Sequence, residues 1–352
     1  MKRTHQRSCL SVLLAVMLLL SACGAAAPPQ RDPEAAERGY RYIESMDTLI
    51  ELTAYGSSRD EALDAAADEV ERLNALLSIG LEDSEVSRVN RDGGGKLSRD
   101  TAALVDRALE LFESTGGAFD PTVYPLMLLW GFTGGEHHVP TEEELAATLR
   151  KVGADRVRFD AETATITLDA GQAIDLGGIA KGYTSARIME IYREHGVSSG
   201  LVSLGGNVQC LGAKPDGSAW RIGVRNPDTE TGGIVAVVSV KDMAVISSGG
   251  YERFFVDENT GITYEHIMDP KTGSPVKNEL AQVTIVTPDG TLGDGLSTAL
   301  YIMGLDAAAA YWRAHSGQFD AVFVTRDGDV WITAGLENCA EPVGDGTLQI
   351  IR

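Results

Sequence analysis

The chain reads as an α+β domain, and three observations carry that reading. Stretches with the two-residue alternation of strands and stretches with the 3.6-residue period of helices interleave, without the regular strand–helix–strand rhythm of a doubly wound parallel sheet. No segment repeats at the spacing of roughly 20 to 50 residues that marks a solenoid or propeller. No Pro- or Ser-rich linker divides the chain after residue 40. The expectation is a single compact unit over 41–340 with a mixed or antiparallel sheet and flanking helices, closed by a tail at 341–352.

The N-terminus is an export signal. Lys2, Arg3 and Arg7 precede an apolar run from Leu10 to Leu20, shorter than the roughly 20 residues a membrane-spanning helix needs, and small residues follow it as in a cleaved signal. Leu20-Ser21-Ala22-Cys23 resembles the bacterial lipobox, which makes residues 1–22 the signal peptide and Cys23 the site of lipidation. An ordinary signal with a cysteine nearby would carry the same residues. Residues 23–40 read as a flexible tether. The expected location is the cell membrane, lipid-anchored on its extracytoplasmic face.

The rest follows in chain order. Residues 48–54 (TLIELTA) alternate like a strand. Ser58 with Glu61 reads as a capping box that opens a helix to about Leu77, with Leu63, Val70 and Leu73 on its apolar stripe. A second helix runs from about Asp100 to Ser114 and stops at Gly116. Thr141 and Glu144 cap a short one to about Lys151. Residues 156–168 form a hairpin, and 178–195 a helix stopped by Gly196. Strands are expected at 200–204, 219–224, 234–240 and 282–287, then a helix from near Asp294 and a closing hairpin over 320–333.

Net charge is −21, which excludes nucleic acid as a partner because phosphate backbones attract basic faces. An anionic ligand remains open, since metal ions and backbone amides hold phosphate irrespective of net charge. Outside the signal and Cys23 only Cys210 and Cys339 remain. They are a disulfide or two separate thiols; spacing does not choose.

Four clusters hold the candidate chemistry. Asp175-Leu176-Gly177-Gly178-Ile179-Ala180-Lys181-Gly182-Tyr183 puts glycines at a helix start, where free N–H groups and the dipole suit phosphate, with Lys181 in reach; a tight strand-to-helix turn with a solvated lysine fits as well. In Gly293-Asp294-Gly295-Leu296-Ser297-Thr298, Asp294 and Thr298 share one helical face. A carboxylate with hydroxyls suits Mg²⁺, although an aspartate there also serves as a plain N-cap. His266 stands before the Asp269-Pro270-Lys271-Thr272-Gly273 turn as a proton acceptor, or as a hydrogen-bonded structural histidine. Gly116 to Leu126 (GGAFDPTVYPL) offers aromatics and a carboxylate beside a flat ring, or an apolar loop.

Taken together and in order, GGAFDPTVYPL, AIDLGGIAKGY, LVSLGGNVQC, HIMDPKTGSPV and GDGLSTALYIMG resemble the ApbE family of FAD:protein FMN transferases. Met46-Asp47-Thr48 is similar to its Met-Gly-Thr, and Ser248-Gly249-Gly250-Tyr251-Glu252-Arg253 to its Ser-Gly-x-Tyr-x-Arg. The resemblance, over about 42–335, implies a compact α+β unit with FAD in a cleft. It implies a reaction that cleaves FAD and attaches FMN to a Thr or Ser hydroxyl of a target protein, such as a membrane redox subunit or flavin-carrying domain, and releases AMP. It places Met46, Ala118, Phe119, Asp120, Asp175, Lys181 and Met268 at the dinucleotide. Gly178, Asp294, Ser297 and Thr298 would hold Mg²⁺, and His266 or Asp294 would take the proton. Two departures stand out. Asp47 replaces the usual glycine, and Ile79-Gly80 stands where many relatives carry a tyrosine before the Asp83-Ser84-Glu85-Val86-Ser87 stretch. The same residues would serve an FAD pyrophosphatase; a flavin-binding lipoprotein without activity is the third reading.

Overall fold

The computed structural model describes residues 37–228, 230–344 and 346–352. The signal sequence and Cys23 lie outside the described residues.

The first two strands, β1 (Arg38–Ser45) and β2 (Thr48–Tyr55), form a hairpin. Its two-residue turn holds Met46 and Asp47 at φ 52° and 57°, the twist that a tight hairpin needs. Helices α1 (Arg59–Leu77), α2 (Glu85–Asp92), α3 (Arg99–Ser114), α4 (Tyr124–Leu129) and α5 (Glu142–Leu149) follow. A three-stranded ribbon, β3 (Gly94–Lys96), β4 (Arg158–Asp160) and β5 (Thr165–Thr167), is interleaved with them. Next come α6 (Gly177–Glu194), then β6 (Gly200–Leu204), β7 (Asn207–Leu211), β8 (Trp220–Arg225), β9 (Ile234–Val240) and β10 (Ala244–Gly249). The small hairpin of β11 (Phe254–Val256) and β12 (Thr263–Glu265) precedes β13 (Leu280–Thr287), α7 (Gly290–Met303) and α8 (Leu305–Ala314). The chain ends with β14 (Asp320–Thr325), β15 (Val330–Thr333), β16 (Ala340–Pro342) and β17 (Leu348–Ile351).

Nine strands make the main sheet in the order β1-β2-β6-β7-β10-β13-β14-β15-β17. Every pairing in it is antiparallel except β15 with β17. This is the α+β arrangement with a mixed sheet expected from the sequence. One face carries α1 and α6, through Ile50, Leu52, Val70, Ile188 and Val202, and α3, α7 and α8, through Leu104, Leu111, Val283, Ile285, Leu296 and Leu300. On the other face a second sheet, β16-β9-β8, packs Val224 and Val238 against Val245 and Val322. Covered on both faces, β13 is buried along nearly its whole length, its polar Gln282, Thr284 and Thr287 included.

Several local expectations need correction. Ser58 stands at the N-cap of α1, but its side chain makes no capping bond, so the capping box with Glu61 does not form. The box at Thr141 and Glu144 does. Asp289, not Asp294, caps the late helix by accepting the Leu292 N–H at 3.0 Å; α7 therefore starts earlier than expected, and Asp294 sits in its second turn. Strand β1 begins at Arg38, inside the segment read as tether, and β17 adds residues of the tail to the main sheet. Cys210 and Cys339 are both free thiols. Among the described residues no helix is long and apolar enough to cross a membrane.

Candidate functional site

The site grows from the crossing of α6 and α7. A Cβ on Gly182 would stand 2.2 Å from the Gly290 carbonyl oxygen and 2.7 Å from Asp294 Cβ. Only glycine lets the two backbones approach this closely. The contact delivers the Asp294 carboxylate, 3% exposed, onto the start of α6, where Oδ2 accepts the Gly182 N–H at 2.8 Å. In a regular helix that N–H serves the carbonyl four residues back, which is Gly178. Here it donates to Asp294. The other oxygen, Oδ1, accepts from Asn207 Nδ2 at 3.1 Å, and Asn207 Oδ1 accepts the Ser247 N–H at 3.1 Å.

Beside Asp294 lies a chain of hydroxyls. Ser248 Oγ is 2.7 Å from Ser297 Oγ and 3.2 Å from Thr298 Oγ1. Ser297, fully buried, donates to the Asp294 carbonyl at 2.8 Å; its proton is committed within the helix, whereas Thr298 is only half-buried. Burial pushes the Asp294 carboxyl above its usual range, opposed by the Lys181 charge and the Gly182 and Asn207 donors. Among the described residues no cationic side chain comes within salt-bridge distance of it, and no three His, Cys, Asp or Glu gather as a metal cluster.

The loop after α3 meets the same helix start. Ala118, Phe119 and Asp120 are all buried, and the Phe119 ring packs 3.1 Å from where a Cβ on Gly178 would stand. The Asp120 carboxylate is committed to the chain: Oδ1 accepts from Thr122 N and Oγ1 at 2.7 and 2.6 Å, and Oδ2 from Ala154 N at 3.3 Å. It fixes the loop, and that loop holds the next carboxylate in place, because Asp175 N–H donates to the Pro121 carbonyl at 2.7 Å. Asp175 Oδ1 in turn accepts the Gly177 N–H at 2.7 Å. Burial pushes Asp175 up, the Gly177 donor and the Lys181 and Arg253 charges pull it down, and Asp47 pushes it up again.

Lys181 is the electrostatic centre of this group. Its charge acts on Asp175, Glu252, His266 and Asp294 together. His266 follows β12, and its Nδ1 lies 3.1 Å from the Arg253 carbonyl oxygen. A carbonyl only accepts, so Nδ1 carries the proton and Nε2 offers its lone pair. Burial lowers the imidazole to about 4, and the Arg253 and Lys181 charges push the same way. The ring is therefore neutral at neutral pH. Met268 is buried with Leu126, Met127, Trp130 and Phe132, in an apolar subcore under the loop that carries His266.

Met46 lies at the tip of the β1–β2 hairpin, with Thr184 Oγ1 of α6 3.5 Å from its sulfur. A cavity of about 520 Å³ opens beside it, lined by Ser45, Asp47, Asn74, Ser78 and Gly80 among others. The structure thus brings Met46, Phe119, Asp175, Gly178, Lys181, His266, Asp294 and Thr298 around one helix start, and sets Asp120, Met268 and Ser297 behind them. Asn207, Ser248 and Arg253 join the site without having been singled out. Each lies in a quoted segment, but its role depends on a partner far away in the chain, 87 residues for Asn207 and Asp294.

A buried carboxylate thus lies on a glycine-opened helix start, with a lysine and a neutral histidine nearby. The ApbE family model matches residues 46–323, and the chain belongs to that family. It is 32% identical to the FAD:protein FMN transferase of Treponema pallidum over 349 residues, 93% of each chain. It is 35% identical to that of Haemophilus influenzae over 269 residues, 73% of this chain and 76% of the relative. Among solved structures, the ApbE protein from Thermotoga maritima matches with a TM-score of 0.78 and 31% identity, covering 84% of this chain and 96% of that one. The flavin transferase ApbE from Vibrio cholerae matches with a TM-score of 0.77 and 27% identity, covering 86% and 99%.

Proposed function

We propose that this chain is an FAD:protein FMN transferase that moves FMN from FAD to a Thr or Ser hydroxyl of an acceptor protein, with Mg²⁺, and releases AMP. The observation that carries the reading is the Gly182–Asp294 contact, which holds a buried carboxylate against the start of α6 beside Lys181. Such a carboxylate, without a salt-bridge partner among the described residues, is costly unless a cation joins it. Asp294, the half-buried Thr298 hydroxyl and the Gly178 carbonyl are hard oxygen donors of the kind Mg²⁺ takes, so these residues fit the ion and would hold it. When bound, Mg²⁺ supplies neutralisation of the phosphate charge.

The chain's own groups do the rest. Lys181 and the α6 N-terminus attract the pyrophosphate. Met46 and the cavity beside it receive a flat ring; Phe119 walls the helix start. Asp47 and Gly80 line that cavity, and ring recognition there rests on hydrogen-bonding groups such as Asn74 and Ser78. The acceptor oxygen attacks the FMN phosphorus, the bond from that phosphorus to the bridging oxygen breaks, and AMP leaves with the bridging oxygen. The acceptor proton goes to Nε2 of neutral His266. Positioning and charge neutralisation account for most of the rate in such transfers. Lipidation at Cys23 would hold the enzyme at the extracytoplasmic face of the cell membrane, beside membrane-bound acceptors.

The test is mass spectrometry of a flavin-carrying acceptor domain after incubation with the protein, FAD and Mg²⁺. An FMN mass on a Thr or Ser supports the reading. AMP release at the same rate with and without acceptor, with no mass added, assigns the chain to FAD hydrolysis instead.

A further inference from the structure

His266 rides on a ribbon that lies outside the main sheet. Strands β11 and β12 form a two-stranded sheet of their own, and such a hairpin in isolation is marginally stable at best. The hydrogen bond of the imidazole, from Nδ1 to the Arg253 carbonyl, stays within this ribbon, because Arg253 immediately precedes β11. That bond fixes the tautomer. It does not fix where the ribbon stands relative to α7, which carries Asp294 and Thr298.

The residue before His266 supplies that tie. Glu265 ends β12, and its Oε2 accepts from the hydroxyl of the fully buried Tyr301 at 2.7 Å. Asp294, Thr298 and Tyr301 stand at i, i+4 and i+7 of α7, on one face of the helix. Arg326, in the turn between β14 and β15, grips the same carboxylate with both ends of its fork, Nη1 to Oε1 at 3.0 Å and Nη2 to Oε2 at 3.2 Å. The arginine is itself pinned: its Nε donates to the Asn278 carbonyl at 2.9 Å, and its backbone N–H to the Glu279 carbonyl at 2.8 Å. Gly250 makes room for the knot, since a Cβ there would stand 2.0 Å from Glu265 Cδ. Among the described residues, Glu265 is the only side chain of the hairpin that hydrogen-bonds to α7. A bidentate guanidinium–carboxylate pair sets orientation as well as distance, and this one reaches the hairpin from 61 residues away.

We infer that Arg326 and Glu265 are positioning residues that set where the His266 imidazole stands against the Asp294–Thr298 face of α7. That this placement serves FMN transfer rests on the transferase reading; the placement itself does not.

Two measurements on the full chain test this. The first needs no substrate: NMR titration of the His266 imidazole in metal-free protein. Burial holds that ring at about 4. A ribbon released from α7 opens the ring to water, so in Arg326→Ala its titration should move up to at least about 5, toward the ordinary value. The second is FMN transfer. Arg326→Ala should slow it roughly 10- to 100-fold, as a misplacement of about 1 Å does, with FAD affinity within about twofold of the parent. Arg326→Lys keeps the charge without the fork and should fall between the two. In a His266→Ala background, Arg326→Ala should cost less than about twofold more, because residues that act through one another are not additive. The Arg326 side chain is 43% exposed, so water can take its place and the variant should fold; Glu265→Gln, which keeps the shape and the Tyr301 bond, gives a second reading of both measurements. An imidazole that moves up while the parent shows no transfer supports the placement and sinks the transferase reading alone. An imidazole and a rate unmoved in both Arg326→Ala and Glu265→Gln, or an undiminished further loss in the His266→Ala background, overturns the inference.

Discussion

Asp294 Oδ2 accepts the Gly182 N–H at 2.8 Å, although 112 residues separate them. This contact joins the glycine turn of α6 to the acidic turn of α7. Had the two segments lain apart, no common anion site would exist. Their approach depends on the absence of a side chain at Gly182, where a Cβ would meet the Gly290 carbonyl at 2.2 Å.

Gly182→Ala is therefore the most direct test of the architecture. The backbones must separate, at a cost on the order of 1–3 kcal/mol for overpacking a tight contact, and the Asp294 bond is lost with them. Urea unfolding should show the loss as a lower midpoint at unchanged slope, and AMP release from FAD should fall by at least about tenfold. A variant as stable and as active as the parent would show that the helices do not need this contact.

Much of this was legible in the sequence. Asp175, Lys181, Asp294 and His266 stood in glycine-rich or turn-forming segments that a plain core element would not use, and the structure gathers them. The α+β class followed from the irregular interleaving of periods. What stayed hidden is physically of one kind. The Asn207 amide acts through Asp294 and Ser247, and the Ser248 hydroxyl through Ser297 and Thr298; tertiary pairings of this sort leave no local periodicity. Asp289 outcompetes Asp294 as N-cap because both are aspartates near one helix start, and only the fold decides which of them faces the first-turn N–H groups. Strands β7 and β10 are short and glycine-flanked, so neither shows enough alternation to be read alone.

A bound divalent cation should stabilise the folded protein through Asp294. Burial raises this carboxyl, so in metal-free protein its contribution is full below the ordinary carboxylate range and is lost as pH rises through the raised value. At neutral pH the ion compensates that loss. Mg²⁺ at about 100 times its Kd should stabilise the parent by ~2.7 kcal/mol, read as a higher melting temperature. Asp294→Asn should show little shift with Mg²⁺, and its metal-free stability should depend less on pH across that window. An equal Mg²⁺ shift in both proteins would place the ion elsewhere.

Asp47 adds a negative charge at the hairpin tip, and that charge acts on Asp175. The backbone there, φ 57°, is one that glycine adopts without strain and aspartate tolerates. Asp47→Gly should fold normally and bind FAD several-fold more tightly, because a repulsion of about 1 kcal/mol with the pyrophosphate is removed. The gain should shrink in 0.5 M salt, where exposed charges are screened within about 4 Å. Fluorescence titration at two ionic strengths measures both. A gain that is indifferent to salt would mean that conformation, rather than charge, is the cause.

With His266 as the proton acceptor of the proposed reaction, its titration should set the acid limb of the pH profile. Its imidazole is lowered to about 4, first by burial and then by the Arg253 and Lys181 charges, and its Nδ1 proton is fixed on the Arg253 carbonyl. In that role the reactive form would be the neutral ring with Nε2 free. Rate should therefore be flat through neutral pH and fall only as pH drops toward about 4, whereas an unperturbed histidine would fall already near 6.5. The same depression makes the unfolded chain bind the extra proton between these two values, so folding stability falls as pH is lowered through that window. A base of low proton affinity accepts the acceptor's proton late. His266→Ala should cost roughly 10² to 10⁴ in transfer rate, the usual range for a lost general base, with FAD affinity nearly unchanged and partial rescue by added imidazole. If FMN transfer in His266→Ala keeps the parent's rate and acid limb, the proton goes to another group and His266 serves only to hold the Arg253 backbone in place.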